Sequence, residues 1–366
     1  MRIIDEGNSL PSMFSLSTAS CGLLCLALAI SAAGAGEGDS LSRSAQRAAA
    51  HLVTDQKPEG YWLTTFTPST NYEHPQLEMN VFVTSMLVDL LEPVEVKAGL
   101  EQSLTRARAH LGRQIEANGL VRYHGRPESP TIPSLGCMIT PDSDDTALVW
   151  SLVGDSKSRL LPGVLGLLQS YRTSAGLYRT WLAPRAQYQN LDPGGDPNPA
   201  DIGIQMDVLV FLAKFDPEAA AALGTVLQGA VGDEQDWVYY RLAPLLPLLR
   251  EAELRRLGYS LRLPRDLARS SVRGQSDWIM ACQLLAPYLA TGKPARFPHK
   301  KISDFLSELA ADDFAVVRRE PPLFYHNDLT AHVRRFYWSE DFGYALWLRL
   351  YLETMTSETA PAGRAN

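Results

Sequence analysis

The run Asp142-Ser143-Asp144-Asp145-Thr146-Ala147 places three carboxylates within four residues, directly after Pro141 and ahead of the apolar Leu148, Val149 and Trp150. Carboxyls this close cannot all ionise cheaply, so at least one must hold its proton above the ordinary carboxylate range. A protonated, oriented carboxyl facing an apolar cavity is a Brønsted acid able to protonate an alkene or an epoxide. Asp142 suits a helix N-cap, and the positive end of the helix dipole favours anions there. A solvated acidic helix start would use the same residues, so the motif alone leaves both readings open.

A second oxygen-rich stretch holds Asp192, Asp196 and Asp201 among prolines and glycines, ahead of a segment carrying Asp207. Such loops suit hard cations such as Mg²⁺ or Ca²⁺, but the spacing is not that of an EF-hand. It also fits a proline-stiffened loop in which Asp201 caps the next helix. Between Arg250 and Arg273 lie seven arginines against Glu251, Glu253 and Asp266. That charge could meet a diphosphate or an anionic membrane surface, while a solvated outer face is the simpler expectation.

The elements that must position these groups read as helices. Apolar periodicity predicts helices over Leu77–Leu91, Val96–Gln114, Asp144–Val153, Leu160–Tyr171, Asp201–Phe215, Ser276–Ala290 and Glu340–Glu353. The alternation expected of strands is nearly absent. The segments VFVTSMLVDLL and DVLVFLAKF are apolar almost all round and must be buried on every side, whereas KAGLEQSLTRARAHLGRQ belongs on an outer layer. Outer and inner helices therefore alternate.

A repeat accompanies them. Leu52, Gln56, Gly60 and Trp62 close one outer helix. Leu111, Gln114 and Gly119 close a second, and Leu165, Gln169, Gly176 and Tyr178 a third, at Gly-to-Gly intervals of 59 and 57 residues. Inner helices then open on Asn80, Asp144 and Asp201, with degenerate copies near Asp277 and Asp341. Each Gln-Gly-aromatic unit is expected to staple a hairpin: Gln bonds backbone, Gly permits the turn and the aromatic covers it.

Together, QKPEGYW and PDSDDTALVWSL resemble the terpenoid cyclase and prenyltransferase superfamily, nearest to the squalene–hopene cyclase-like class II terpene cyclases. The resemblance implies an all-α fold, an α/α toroid of about five or six helical hairpins over residues 40–354, whose inner-helix heads face a cavity. It also implies acid-initiated cyclisation or isomerisation of an isoprenoid, with Asp144 delivering the proton and Asp142 and Asp145 orienting it. Aromatic faces stabilise carbocations as they do ammonium ions, so Trp62, Phe82, Trp150, Trp278, Phe342, Tyr344 and Trp347 are candidate cavity walls. In squalene–hopene cyclase a His supports the acid, and His326 or His332 are the candidates for that role. Protein prenyltransferase β-subunits hold zinc through an Asp-x-Cys pair, but Asp277 and Cys282 are spaced differently, so no metal and no cofactor are expected. A non-catalytic toroid holding a lipid, peptide or glycan is the alternative, and a carbohydrate-active α/α barrel with paired carboxylates a third.

The chain has 366 residues, 45% of them apolar, with a formal net charge of −7. Its length suits one toroid, which must close its own cavity, dimerise or borrow a partner surface. Its acidity excludes a dedicated nucleic-acid binder. The four cysteines form no disulfide framework. Cys21–Ile30 is a short apolar run followed by small residues, as in a secretory signal. Residues 1–39 are thus either an export signal or a helix packed on a cytoplasmic protein, and residues 355–366 are expected to form a disordered tail.

Overall fold

In the computed structural model, the described residues are 37–126, 139–188, 198–270, 272–293, 297–327 and 335–355. Residues 1–36 of the expected signal segment, residues 356–366 of the expected tail, and Cys21, Cys25, Cys137, Asp192, Asp196 and His332 lie outside them, while residues 37–39 and Met355 are helical.

The chain starts with helix α1 (Glu37–Asp55), strands β1 (Leu63–Thr67) and β2 (Gln76–Met79), and helix α2 (Val81–Leu91). Helices α3 (Glu95–Ala98), α4 (Glu101–Gln114), α5 (Ser143–Val153), α6 (Leu161–Ser170), α7 (Ile202–Phe215) and α8 (Pro217–Ala230) follow. Then come α9 (Leu245–Arg256), α10 (Ser276–Thr291), α11 (His299–Leu309), α12 (Ala311–Arg319), strands β3 (Leu323–Asn327) and β4 (Arg335–Trp338), and α13 (Glu340–Met355).

Helices α2, α5, α7 and α9 pack in succession, α10 bridges α9 and α13, and α13 returns to α2. The ring is thereby closed, giving the all-α toroid that the resemblance implied. On the outside, α4 lies against α2 and α5, α8 against α7, and α1 and α11 against α13. Hydrophobic burial decides this order. Every residue of α2 except Asp89 is buried, as a helix apolar all round requires. In α4 only Ser103, Leu104, Ala107, His110, Leu111 and Gln114 are buried, one stripe of an outer helix. Among the described residues, no helix is long and apolar enough to cross a membrane.

The expected near-absence of strands is corrected by a four-stranded antiparallel sheet in the order β2-β1-β4-β3. Leu77, expected to begin a helix, pairs in β2 with Thr65, so α2 starts only after the Asn80 cap. Residues of β4 pair with β1 across most of the chain, Thr65 opposite Trp338 and Thr67 opposite Phe336. The expected single helix Val96–Gln114 breaks at Gly99, whose φ of 67° lies in the left-handed region and ends α3. Helices α1, α8, α9, α11 and α12 lie outside the seven predicted runs, although the first repeat unit implied an outer helix ending near Leu52.

The first repeat unit staples as its chemistry suggested. The Gln56 side-chain amide donates to the carbonyls of Gly60 (3.1 Å) and Ser103 (2.9 Å), and its oxygen accepts from the Ser103 hydroxyl and Arg106. Gly60 has φ 103°, and a Cβ there would meet the Arg106 carbonyl oxygen at 2.3 Å. The Trp62 indole N–H donates to the Leu52 carbonyl at 2.9 Å. In the second unit Gln114 accepts from the Arg126 N–H, and the Trp150 indole donates to Gly119 O at 2.7 Å. The third departs from expectation. Gln169 is exposed, and Gln205 of α7 instead bonds both the N–H and the carbonyl of Tyr178.

Candidate active site

The acid motif heads α5, an inner helix. Asp142 has extended backbone (φ −128°, ψ 169°), and its carboxylate accepts from the Asp145 N–H at 3.0 Å, which makes it the N-cap. The cap position is therefore Asp142, equivalent to Asn80 on α2 and Asp201 on α7, and not Asp144 as the repeat register suggested. Asp144 occupies the first turn. Neighbouring loops clamp the segment: the Asp142 N–H donates to Val121 O, the Ser143 N–H to Thr180 O and the Leu182 N–H to Pro141 O.

All three carboxyls are buried, and one oxygen from each lies within 4.8 Å of the others. A solvated acidic helix start is thereby excluded. Burial pushes Asp142 and Asp145 well above the usual carboxylate range, and the neighbouring carboxylates reinforce the effect. Burial also raises Asp144, to about 6, while hydrogen bonds from Asp142 and from the Asp144 and Asp145 backbone restrain it. The cluster thus holds protons near neutral pH. Asp145 Oδ1 has no hydrogen-bond partner, and the charge of Asp207 on α7 also raises Asp145.

The cluster opens on a small cavity of about 50 Å³. Phe82, Tyr123, Trp181, Tyr239, Tyr325 and Tyr337 line it with Ile139, Thr180, Ile204 and Asn327. Tyr325 is the hub of this wall, with ring centroids 5.0 Å from Tyr337, 5.6 Å from Tyr239 and 6.0 Å from Phe82. Tyr123 is held by its neighbours: its hydroxyl donates to buried Glu78 at 2.8 Å and accepts from Asn80 at 2.9 Å.

Of the seven aromatic candidates, only Phe82 lines this cavity. Trp62 and Trp150 staple hairpins, as do Trp278, whose indole donates to Glu320 O, and Trp347, whose indole donates to Leu306 O. Phe342 is buried in the main core, and Tyr344 stacks on His51 at 3.9 Å. The wall residues missed from sequence sit on loops and strands before the inner helices. Their signal was available: Tyr123 and Trp181 each follow a repeat glycine by a few residues.

Other candidates fall elsewhere. His326 is buried in β3 and stacks on Phe336, while its neighbours Tyr325 and Asn327 face the cavity. Asp201 caps α7 and accepts from the Val238 and Tyr239 N–H groups at 2.6 and 2.8 Å. That is the capping alternative for the proline-rich stretch. Arg250, expected on a solvated face, is buried on α9 and pairs with Asp207 (2.5 Å), Asp89 (2.6 Å) and Glu253. The remaining arginines up to Arg273 are exposed. Asp277 is exposed, whereas Cys282 is fully buried and its thiol is pushed up by burial.

No known protein-family model and no curated protein matches the chain. Solved structures do. A variant of the type II terpene cyclase MstE from Scytonema, in its apo form, aligns with a TM-score of 0.52 and 14% identity over 87% of this chain and 97% of its own. A second MstE variant, in complex with geranylgeranyl dihydroxybenzoate as substrate, gives 0.50 and 13% over 87% and 99%. A protein from Actinoplanes gives 0.53 and 14% over 87% and 100%. The chain has the α/α toroid fold of the type II terpene cyclases.

Proposed function

We propose that the protein is a class II-type terpene cyclase or isomerase that protonates a linear isoprenoid. In this reading the O–H bond of Asp144 breaks and a C–H bond forms at a terminal alkene, leaving a tertiary carbocation. Attack by an internal double bond then closes a ring, and loss of a proton ends the sequence. The net reaction is redox-neutral. Asp142 and Asp145 orient Asp144 and share its protons, and the aromatic faces stabilise the migrating charge.

The observation that carries this reading is the opening of three buried carboxyls onto a cavity walled by six aromatic rings. The fold shared with MstE, one structure of which holds a geranylgeranyl-containing substrate, supports an isoprenoid as the substrate class. The test is product analysis by mass spectrometry on linear polyprenyl compounds of graded length, wild type against Asp144→Asn. Conversion by wild type and loss in the variant is expected. If wild type converts none, or the variant converts them equally well, the cyclase reading fails and a non-catalytic lipid-binding toroid replaces it.

A further inference from the structure

A second cluster of ligating groups lies away from the acid motif, at the contact of the outer helix α1 with the inner helix α13. His51 and Asp55 stand four residues apart on α1 and so share one face of that helix. Asp341, in the first turn of α13, meets them there. The His51 Nδ1 or Nε2 and one oxygen of each carboxylate lie within 4.8 Å of one another.

Two details separate this cluster from an ordinary ion pair. His51 Nε2 and Asp341 Oδ1 are both buried and face each other at 3.3 Å, and apart from this contact neither atom has a hydrogen-bond partner. Two ligands of one tetrahedral zinc, each bonded at ~2.0–2.1 Å, stand about 3.3 Å apart without bonding each other. The Asp341 residue is only 4% exposed, so its Oδ1 faces the imidazole and not solvent. The imidazole is also held in orientation, because the Tyr344 ring stacks on it at 3.9 Å and Arg318 donates to the Tyr344 hydroxyl at 3.3 Å. Asp55 is exposed and free to adjust by the remaining distance.

We propose that His51, Asp55 and Asp341 form a binding site for a first-row divalent cation of the Zn²⁺ type, which clips α1 to α13. One imidazole with two carboxylates suits such a metal better than Mg²⁺ or Ca²⁺, which prefer all-oxygen sets. The clip has a structural rationale: α1 and α13 are the first and last described helices, so a metal between them fastens the outer helix α1 onto the ring across nearly the whole chain. Closing so long a loop restricts the unfolded chain strongly. The site is independent of the proposed chemistry at Asp144.

The experiment titrates metal-stripped full-length protein with Zn²⁺ by calorimetry and measures melting with zinc or with EDTA. Co²⁺ absorption serves as a coordination readout. One zinc per chain, a higher melting temperature with zinc and tetrahedral Co²⁺ bands are expected. Asp55→Asn, at an exposed position that should fold normally, should weaken binding by more than the ~10–100-fold typical of losing an outer-sphere partner. His51→Gln should do the same, and Asp144→Asn should leave zinc binding unchanged. Absence of stoichiometric binding overturns the proposal. So does undiminished binding by Asp55→Asn, or binding lost only in Asp144→Asn.

Discussion

The Asp142 carboxylate caps α5 by accepting the Asp145 N–H at 3.0 Å, so one member of the acid motif builds the helix end that buries the other two. Capping, burial and proton retention are therefore one arrangement. Asp144 is raised to about 6 by burial and held there by its hydrogen bonds, of which that from Asp142 is one.

That arrangement sets the expected pH dependence of turnover. The reactive form needs a proton on Asp144, so the rate should be level below about pH 6 and fall about tenfold per unit above it. Asp142→Ala removes a hydrogen bond that favours ionised Asp144, and should move the falling limb to higher pH. Rate profiles of wild type and variant check this. An unshifted limb would separate Asp142 from the proton.

The same shift makes a stability prediction. The folded state holds the Asp144 proton more tightly than the unfolded chain does, raising its pKa from the ordinary 3.8 to about 6. Stability from this group is fully present below pH 3.8 and is lost as pH rises to about 6. Asp144→Asn should therefore melt higher than wild type at pH 7.5, with the gain shrinking towards pH 4. Melting curves at the two pH values decide it.

Trp62 and Tyr325 should respond in opposite ways. Trp62→Ala removes a buried staple outside the cavity, and should cost about 3–5 kcal/mol of stability without changing the products formed. Tyr325→Ala opens the cavity at its aromatic hub, and should change product distribution or rate more than substrate affinity. Thermal melting together with product profiles distinguishes the two, and unchanged melting of Trp62→Ala would refute the staple.

Arg250 is encircled by Asp207, Asp89 and Glu253. Arg250→Met should leave carboxylates buried and unpaired, costing about 3–5 kcal/mol. Replacing Asp207 by Asn in the same chain should recover part of the loss. Denaturant unfolding of the single and double variants measures that recovery.

The helical architecture was legible in sequence because its causes are local. The apolar circumference of α2, the single buried stripe of α4 and the Gln56-Gly60-Trp62 unit are spacing relations within one or two turns. The position of the acid motif at a helix start was legible for the same reason. The sheet was not, because β1 is a short threonine-rich segment whose partner β4 lies some 270 residues further on, and no local pattern encodes so distant a pairing. The cavity wall was not legible either. Aromatic type marks a residue as able to stack on a cation, but tertiary packing decides whether a ring faces a cavity or staples a hairpin. Trp62, Trp150, Trp278 and Trp347 are drawn to carbonyls at the helix ends because a buried indole N–H needs an acceptor. Tyr325, Tyr337, Tyr239 and Tyr123 reach the acid cluster because closing the ring brings strands and loops from distant repeats to one mouth. Residue type and spacing determined which groups could act. Ring closure, a matter of long-range burial, decided which of them meet.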